Sequence, residues 1–83
     1  MTDRSWPEYQ HAVRLYQDPR WRRMRRRHLR LHPLCEICLE TETVEHAAVV
    51  HHRQRHDGVE AIFLNEGQLQ SLCWDCRNAI TYP

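Results

Sequence analysis

Four cysteines, arranged as two pairs, are the residues of this sequence best suited to chemistry. Each pair has two residues between its thiols, and 34 residues separate the pairs. This spacing lets both thiolates of a pair point at one ion, and four thiolates complete a tetrahedral shell around Zn²⁺ with no open position. The sequence therefore predicts one structural zinc ion, held by Cys35, Cys38, Cys73 and Cys76.

The CxxC motif, in which two residues lie between two cysteines, also occurs in redox-active sites and in disulfide frameworks. Neither alternative suits two matched pairs in a reducing compartment. The first ten residues have no apolar stretch behind a basic start, and no run approaches the ~18 apolar residues of a membrane span. We therefore expect a cytoplasmic protein with reduced thiols and no membrane partner.

Two adjacent histidines, His51 and His52, lie between the cysteine pairs. A neutral imidazole can take a proton from water or ligate a divalent ion. On a strand the two rings point to opposite faces, and the plain alternative is a pair of half-exposed residues without a function. Their position between the two zinc knuckles, as we call the cysteine pairs, favours a functional site. The plain interpretation is retained for His11, His28, His32, His46 and His56.

The charge of the chain is strongly asymmetric, and arginine supplies all of its non-histidine basic residues. Residues 1–34 carry nine arginines against three acidic residues, whereas residues 35–76 carry two against eight. Six arginines fall within nine residues, and like charges at i,i+4 repel, so a merely solvated face is disfavoured. Arginine binds phosphate bidentately, which predicts DNA as the partner, ahead of RNA or an acidic protein. The predicted nucleic-acid-binding residues are Arg22, Arg23, Arg25, Arg26, Arg27, Arg30 and Arg77.

A helix is expected to carry this arginine run. Asp18 can cap the helix and Pro19 can occupy its first position, whereas Pro33 ends it because the residue before a proline avoids helical geometry. Residues 1–17 predict a weaker helical stretch before it. One apolar face of the main helix would consist of Trp21, Met24, His28 and Leu31.

The remaining segments predict short strands and loops. Residues 43–46 and 48–53 are β-branched or apolar enough for a short hairpin. The length allows one domain at most, and we predict a small α+β domain over residues 1–83. Within it, residues 1–32 would form a basic helical arm and residues 33–83 a zinc-stapled core.

These segments together resemble the HNH endonuclease family, especially its small phage type. Leu31–Cys38 is similar to the leading knuckle of the family, Ala48–His52 to its first catalytic motif and Gln68–Arg77 to its closing segment. The overlap covers about four-fifths of the chain. It implies a ββα-metal, treble-clef-like fold behind the arginine-rich helix.

The resemblance also implies a role for each matched residue. His52 would be the general base that takes a proton from water. His51 would ligate a catalytic Mg²⁺ or another divalent ion through a neutral ring nitrogen. Gln68 lies where the family has the asparagine that orients the base, and Asn65 is a second candidate for that role.

Arg77 is the main departure from the family pattern. The family has His or Asn there as the second metal ligand, whereas a guanidinium has only donors and repels a cation. Ile80 stands in the place of a lysine of the family. Asp75, Asn78 and His56 are unranked candidates for a substitute ligand.

Two functions follow from this pattern of matches and departures. The first is an HNH-family endonuclease that hydrolyses DNA phosphodiester bonds with a divalent metal and little sequence preference. The alternative is a catalytically degenerate HNH fold that acts as a zinc-dependent DNA- or protein-binding accessory module. Family members of this size resemble accessory factors of phage DNA packaging, so a phage packaging protein or another protein partner is a further hypothesis.

Overall fold

The computed structural model describes residues 13–80. Of the helical stretch predicted over residues 1–17, residues 13–17 are helical, and residues 1–12 lie outside the described residues. The elements that follow are helix α1 (Pro19–Leu31), helix α2 (Glu36–Glu40), strand β1 (Val49–His52), helix α3 (Glu60–Phe63), a 3₁₀ turn (Glu66–Gln68), strand β2 (Leu69–Leu72) and helix α4 (Trp74–Ala79). Within these residues no helix is long and apolar enough to cross a bilayer.

Helix α1 begins and ends where the sequence predicts. The Arg20 N–H donates a hydrogen bond of 2.8 Å to Asp18 Oδ1, so the side chain of Asp18 satisfies an amide at the start of the helix. Pro19 occupies the first position, where no amide hydrogen is needed. The helix ends at Leu31, two residues before Pro33, which confirms the predicted boundaries.

Strands β1 and β2 form a two-stranded antiparallel sheet. Val49 lies opposite Leu72, and His52 lies opposite Leu69. β1 follows the first zinc knuckle and β2 precedes the second one directly, so the sheet places the two knuckles at the same end of the domain. The two strands and α4 give the ββα arrangement of the HNH fold.

The predicted hairpin between residues 43–46 and residues 48–53 is wrong. Residues 43–46 are exposed and form a single bridge, from His46 to Leu34, and β1 pairs instead with β2. All four residues of β2 are buried, so this pairing satisfies its backbone groups inside the domain. An exposed strand at residues 43–46 would have left that buried edge unpaired.

The two faces of the sheet pack against different cores. Leu69 and Leu72 lie three residues apart on β2, so their side chains point to opposite faces. The first core consists of Leu15, Trp21, Phe63 and Leu69. The second core consists of Cys35, Leu72 and Cys73. The sheet therefore separates a hydrophobic core under α1 and α3 from the cysteine cluster.

Glu36 links the first knuckle to the sheet and to α1. Its Oε2 accepts the Ser71 N–H at 2.5 Å and lies 3.1 Å from His28 Nε2, while Oε1 accepts from Arg53 Nη2 at 2.9 Å. Burial acts to raise the pKa of Glu36, but the bonds from Ser71 and His28 and the nearby Arg53 charge outweigh it and lower that pKa. Glu36 is therefore a carboxylate that fixes the knuckle in place.

Candidate metal centre and histidine site

The four predicted cysteine ligands come together in one cluster. Their Sγ atoms all lie within 4.8 Å of one another, and none of the four forms a disulfide. Cys38 Sγ is 3.9 Å from Cys73 Sγ and 3.6 Å from Cys76 Sγ. A tetrahedral ion with bonds of about 2.3 Å to sulfur requires sulfur–sulfur distances of about 3.8 Å. The cluster therefore has the dimensions to hold one metal ion.

Each knuckle presents its two thiols in the same way. Cys35 and Cys73 are the cap residues that precede α2 and α4, and Cys38 and Cys76 lie one turn later. Residues three apart on a helix share a face, which explains why the CxxC spacing aims both sulfurs at one point. The sequence predicted this cluster correctly.

Neighbouring cysteines shift the pKa values of the thiols in the cluster. Burial acts to raise the pKa of Cys35, but hydrogen bonds from the Cys73 and Cys38 backbone outweigh it and lower that pKa to about 6. The bond to Cys35 raises the pKa of Cys38 to about 11. Thiolates are the form that ligates a metal, so a divalent ion that binds here displaces the thiol protons.

His52 is buried against two aromatic rings that also contact each other, with the Trp21 and Phe63 centroids 4.8 Å apart. The residue is 4% exposed, and its ring stacks on Trp21 at 5.0 Å and on Phe63 at 4.8 Å between centroids. His52 Nε2 lies 3.0 Å from the Phe63 carbonyl oxygen, which can only accept, so Nε2 carries the proton. In the neutral ring Nδ1 is therefore the basic nitrogen. Burial lowers the pKa of His52, and the bond to Phe63 offsets this only in part.

His56 lies beside His52, a contact that the sequence did not indicate. The rings meet edge-on with centroids 4.9 Å apart. His56 Nδ1 accepts the Gly58 N–H at 3.0 Å, so the proton is on Nε2, which lies 3.1 Å from the Tyr16 hydroxyl. Gly58 has a φ of 78°, and this turn folds His56 back onto the core. The sequence signal for this contact was the Asp57-Gly58 pair, which predicts a turn but does not indicate which residue His56 contacts.

His51 lies on the other side of β1, with Gln70 opposite on β2. His51 is 6% exposed. Burial lowers the pKa of His51, and the positive charge of Arg77 lowers it further. Because β1 packs against α4, the two positions that the resemblance assigns to metal ligands do come together.

The residues at these two positions do not complete a site for a second ion. The imidazole of His51 fits a divalent ion, but the guanidinium of Arg77 has no lone pair to offer and carries a positive charge. Among residues 13–80, the four-cysteine cluster is the only group of three or more His, Cys, Asp and Glu side chains close enough to share an ion. Asp75 and Asn78, proposed as substitutes, are exposed on α4, and His56 lies with His52 on the other face.

Gln68 is the last residue of the 3₁₀ turn, directly before β2. Its carbonyl oxygen accepts the Arg53 N–H at 2.6 Å, which extends the sheet by one step beyond His52. Asn65 Oδ1 accepts the Gly67 N–H at 3.0 Å and so caps the turn. In the described part of the chain the His52 ring bonds to the Phe63 carbonyl, so the role of Gln68 in orienting it stays a prediction.

Six of the seven predicted basic residues lie along α1, and the seventh, Arg77, lies half-buried on α4. The six on α1 are exposed except for Arg25, which is half-buried, and within residues 13–80 none of the six forms an ion pair. Arg20, which was not among the predicted set, instead pairs with Asp18 at 2.8 Å and with Glu60 at 3.0 Å.

Comparison with known proteins gives one informative match. No model of a known protein family matches the chain, and no curated protein matches it either. Among solved structures, the chain is similar to the HNH endonuclease of the deep-sea thermophilic bacteriophage GVE2, crystallised with a manganese ion. The two are 27% identical with a TM-score of 0.77, over 93% of this chain and 88% of the other. The resemblance to the HNH endonuclease family is thus confirmed: this chain has the HNH fold, and its likeness to that enzyme supports a nuclease-type function at the level of the family.

Proposed function

We propose that this protein is an HNH-type endonuclease that binds DNA and hydrolyses its phosphodiester bonds with little sequence preference. The observation that carries the proposal is the likeness to the phage HNH endonuclease, at 27% identity and a TM-score of 0.77. His52 is the residue matched to the general base of the family. Its ring packs against both Trp21 and Phe63, and its Nε2 proton is donated to the Phe63 carbonyl oxygen. This leaves Nδ1 as the nitrogen that can accept a proton.

His52 would act as a base in a single displacement. Nδ1 takes a proton from water, the water oxygen bonds to phosphorus, the bond from phosphorus to the leaving sugar oxygen breaks, and that oxygen takes a proton from solvent. The bond from Nε2 to the Phe63 carbonyl stabilises the imidazolium that forms. The stacked rings fix the plane of the base throughout.

We assign the ion of the four-cysteine cluster as structural Zn²⁺. Four soft thiolates in a closed tetrahedral set are typical of zinc, and they leave no position open for water or substrate. Zinc would contribute folding free energy and hold α4 against the sheet, without taking part in hydrolysis.

A second, catalytic ion such as Mg²⁺ would stabilise charge on the phosphate if it were bound. His51 could serve as one ligand, but Arg77 cannot serve as the other. We therefore assign Arg77 a different role, that of a positively charged contact for a phosphate oxygen. The hydrolytic step assigned to this chain depends on His52.

Replacing His52 tests the proposal. Zinc-loaded protein should convert supercoiled plasmid to the open circle in a buffer with Mg²⁺, Mn²⁺ or Ni²⁺, and His52→Ala should slow this by about 10² to 10⁴. His52→Phe should do the same while it keeps an aromatic ring packed against Trp21 and Phe63. His46→Ala is the matched control, because His46 is exposed and should nick like the parent. Nicking by His52→Ala at the parental rate would contradict the proposal.

The pH dependence of nicking should report the lowered pKa of the base. His52 can accept a proton only when neutral, and burial moves its pKa below the ordinary 6.5. The base is therefore fully available above pH 6.5 and is lost as the pH falls through the lowered pKa. Initial nicking rates, with zinc content checked at each pH, should show an acid limb centred below 6.5. A midpoint above that value would contradict this assignment.

A second candidate function is a DNA-binding module without nuclease activity. The observation that favours it is the guanidinium of Arg77 beside His51, at the position where the family has a second ligand. The two candidates share the fold, the zinc and the DNA, and they differ only in hydrolysis. Exchange of Arg77 for histidine distinguishes them, because it supplies the missing ligand without altering the fold.

A further inference from the structure

Helix α1 and the 3₁₀ turn border an open groove of about 500 Å³. Its lining residues are Arg20, Arg23, Met24, Arg26, Arg27, Arg30 and Glu66. Four of its arginines recur along α1 at intervals of three, one and three residues, which is the spacing of one helix face. We call Arg23, Arg26, Arg27 and Arg30 the four-arginine face. Arg22 and Arg25 do not line the groove.

The four-arginine face has charge that the protein does not neutralise. Its members are exposed, and no ion pair to them occurs within residues 13–80. Arg20 also lines the groove, but its guanidinium is held by Asp18 and Glu60, so it is not free to contact a ligand in the same way. Four like charges on one helix face repel one another, and a bound polyanion removes that repulsion.

The size of the face matches the backbone of a nucleic acid. Arg23 and Arg30 are seven residues apart, which is about 10 Å along a helix axis. One strand of duplex DNA rises about 3.4 Å per phosphate, so the face extends over about three such steps, which join about four successive phosphates. Guanidinium groups bind phosphate oxygens bidentately and carry no sequence information in doing so. This fits a surface that seats the backbone of one strand.

Glu66 is the acidic residue of the groove. It is exposed at the start of the 3₁₀ turn and lines the same groove as the four-arginine face, and within residues 13–80 no ion pair holds it. A carboxylate there repels a phosphate that approaches the arginines. It would lower the affinity for DNA without altering the contacts of the arginines themselves.

We propose that the four-arginine face seats one strand of duplex DNA through its phosphates, and that Glu66 limits the affinity of this contact. The inference rests on the proposed function in its choice of DNA as the ligand. It does not depend on hydrolysis, because binding is measured without added divalent metal. A protein that binds as described but never nicks would overturn the proposed function alone.

The test is binding of the full zinc-loaded chain to a short labelled DNA duplex, followed by fluorescence anisotropy at several salt concentrations. Four phosphate contacts predict a slope of about −3.6 in log affinity against log salt, or about a 100-fold loss between ~50 and ~200 mM. Changing all four arginines of the face to glutamine should remove most of this slope. Glutamine is a good helix former, so circular dichroism should show an unchanged fold.

A matched pair of double variants separates the face from total charge. Arg23→Gln with Arg26→Gln and Arg22→Gln with Arg25→Gln each remove two charges at the same i,i+3 spacing. The first should reduce the magnitude of the slope by about 2, and the second by less than about 1. Equal losses in the two double variants would overturn the proposal, since binding would then follow charge and not the groove.

Glu66→Gln should change the affinity for DNA in the opposite direction to the arginine variants. It should strengthen duplex binding by about twofold to fivefold at low salt. Unchanged or weaker binding would overturn the role of Glu66. Tighter binding of a single-stranded DNA or an RNA of the same length than of the duplex would overturn the choice of duplex DNA as the ligand.

Discussion

Replacing Cys35 with serine is expected to leave the domain unfolded even when zinc is present. Cys35 is 0% exposed and belongs to the core that supports α2, β2 and α4. A structural zinc site of this type contributes on the order of 10 kcal/mol, which is as large as the whole stability of a typical domain. A chain of 83 residues buries too little apolar surface to replace that contribution. Far-UV circular dichroism and zinc content per chain measure the outcome.

The same knuckles provide the control for this experiment. Trp74 lies between two of the cysteines but is 60% exposed, so Trp74→Ala should bind one zinc ion per chain and fold like the parent. Removal of zinc from the parent by a chelator should unfold it, and zinc should restore the fold. A folded Cys35→Ser variant, or a parent that stays folded without metal, would contradict the assignment of this cluster as the structural centre.

Exchanging Arg77 for histidine is expected to raise metal-dependent nicking by about 10- to 100-fold. Position 77 is close enough to His51 for its charge to lower the pKa of that ring. A neutral imidazole there would remove the charge and supply the second ligand that the guanidinium cannot. Plasmid nicking with Mn²⁺ or Mg²⁺, titrated over metal concentration, measures the change.

Arg77→Leu separates the loss of charge from the gain of a ligand. If the missing ligand limits the chain, Arg77→Leu should nick no faster than the parent, while Arg77→His should nick much faster. Equal gains in both variants would assign the effect to charge alone. Nicking that appears only in Arg77→His would identify the parent as a binding module, and a strongly active parent that gains nothing would rule out that second function.

The parts of the fold that the sequence predicts are those with local causes. The limits of α1 follow from Asp18, Pro19 and Pro33, each of which acts on its own neighbours. The CxxC spacing likewise decides locally how each pair of thiols points. The partner of β1 is a non-local choice, and β-branched residues at 43–46 were a reasonable but wrong candidate. β1 pairs with β2 because β2 is buried, and its backbone N–H and C=O groups need hydrogen-bond partners inside the domain.

In the candidate site, too, local features could be predicted from the sequence and non-local contacts could not. His51 and His52 could be identified from their position between the knuckles. The contacts that bury the His52 ring could not be identified, because they join distant parts of the chain, as in the stacking of His52 on Trp21, 31 residues before it. The bond from Ser71 to Glu36 joins residues 35 apart and was equally hidden. Residue types in one sequence show which groups can react, but only packing shows which of them meet.

The most direct test of His52 as the general base compares nicking by four zinc-loaded proteins in one experiment: the parent, His52→Ala, Arg77→His and the double variant. The parent should nick, Arg77→His should nick faster, and adding His52→Ala to either protein should slow nicking by about 10² to 10⁴. A double variant that nicks as fast as Arg77→His would show that another group is the base, and would contradict the central role of His52.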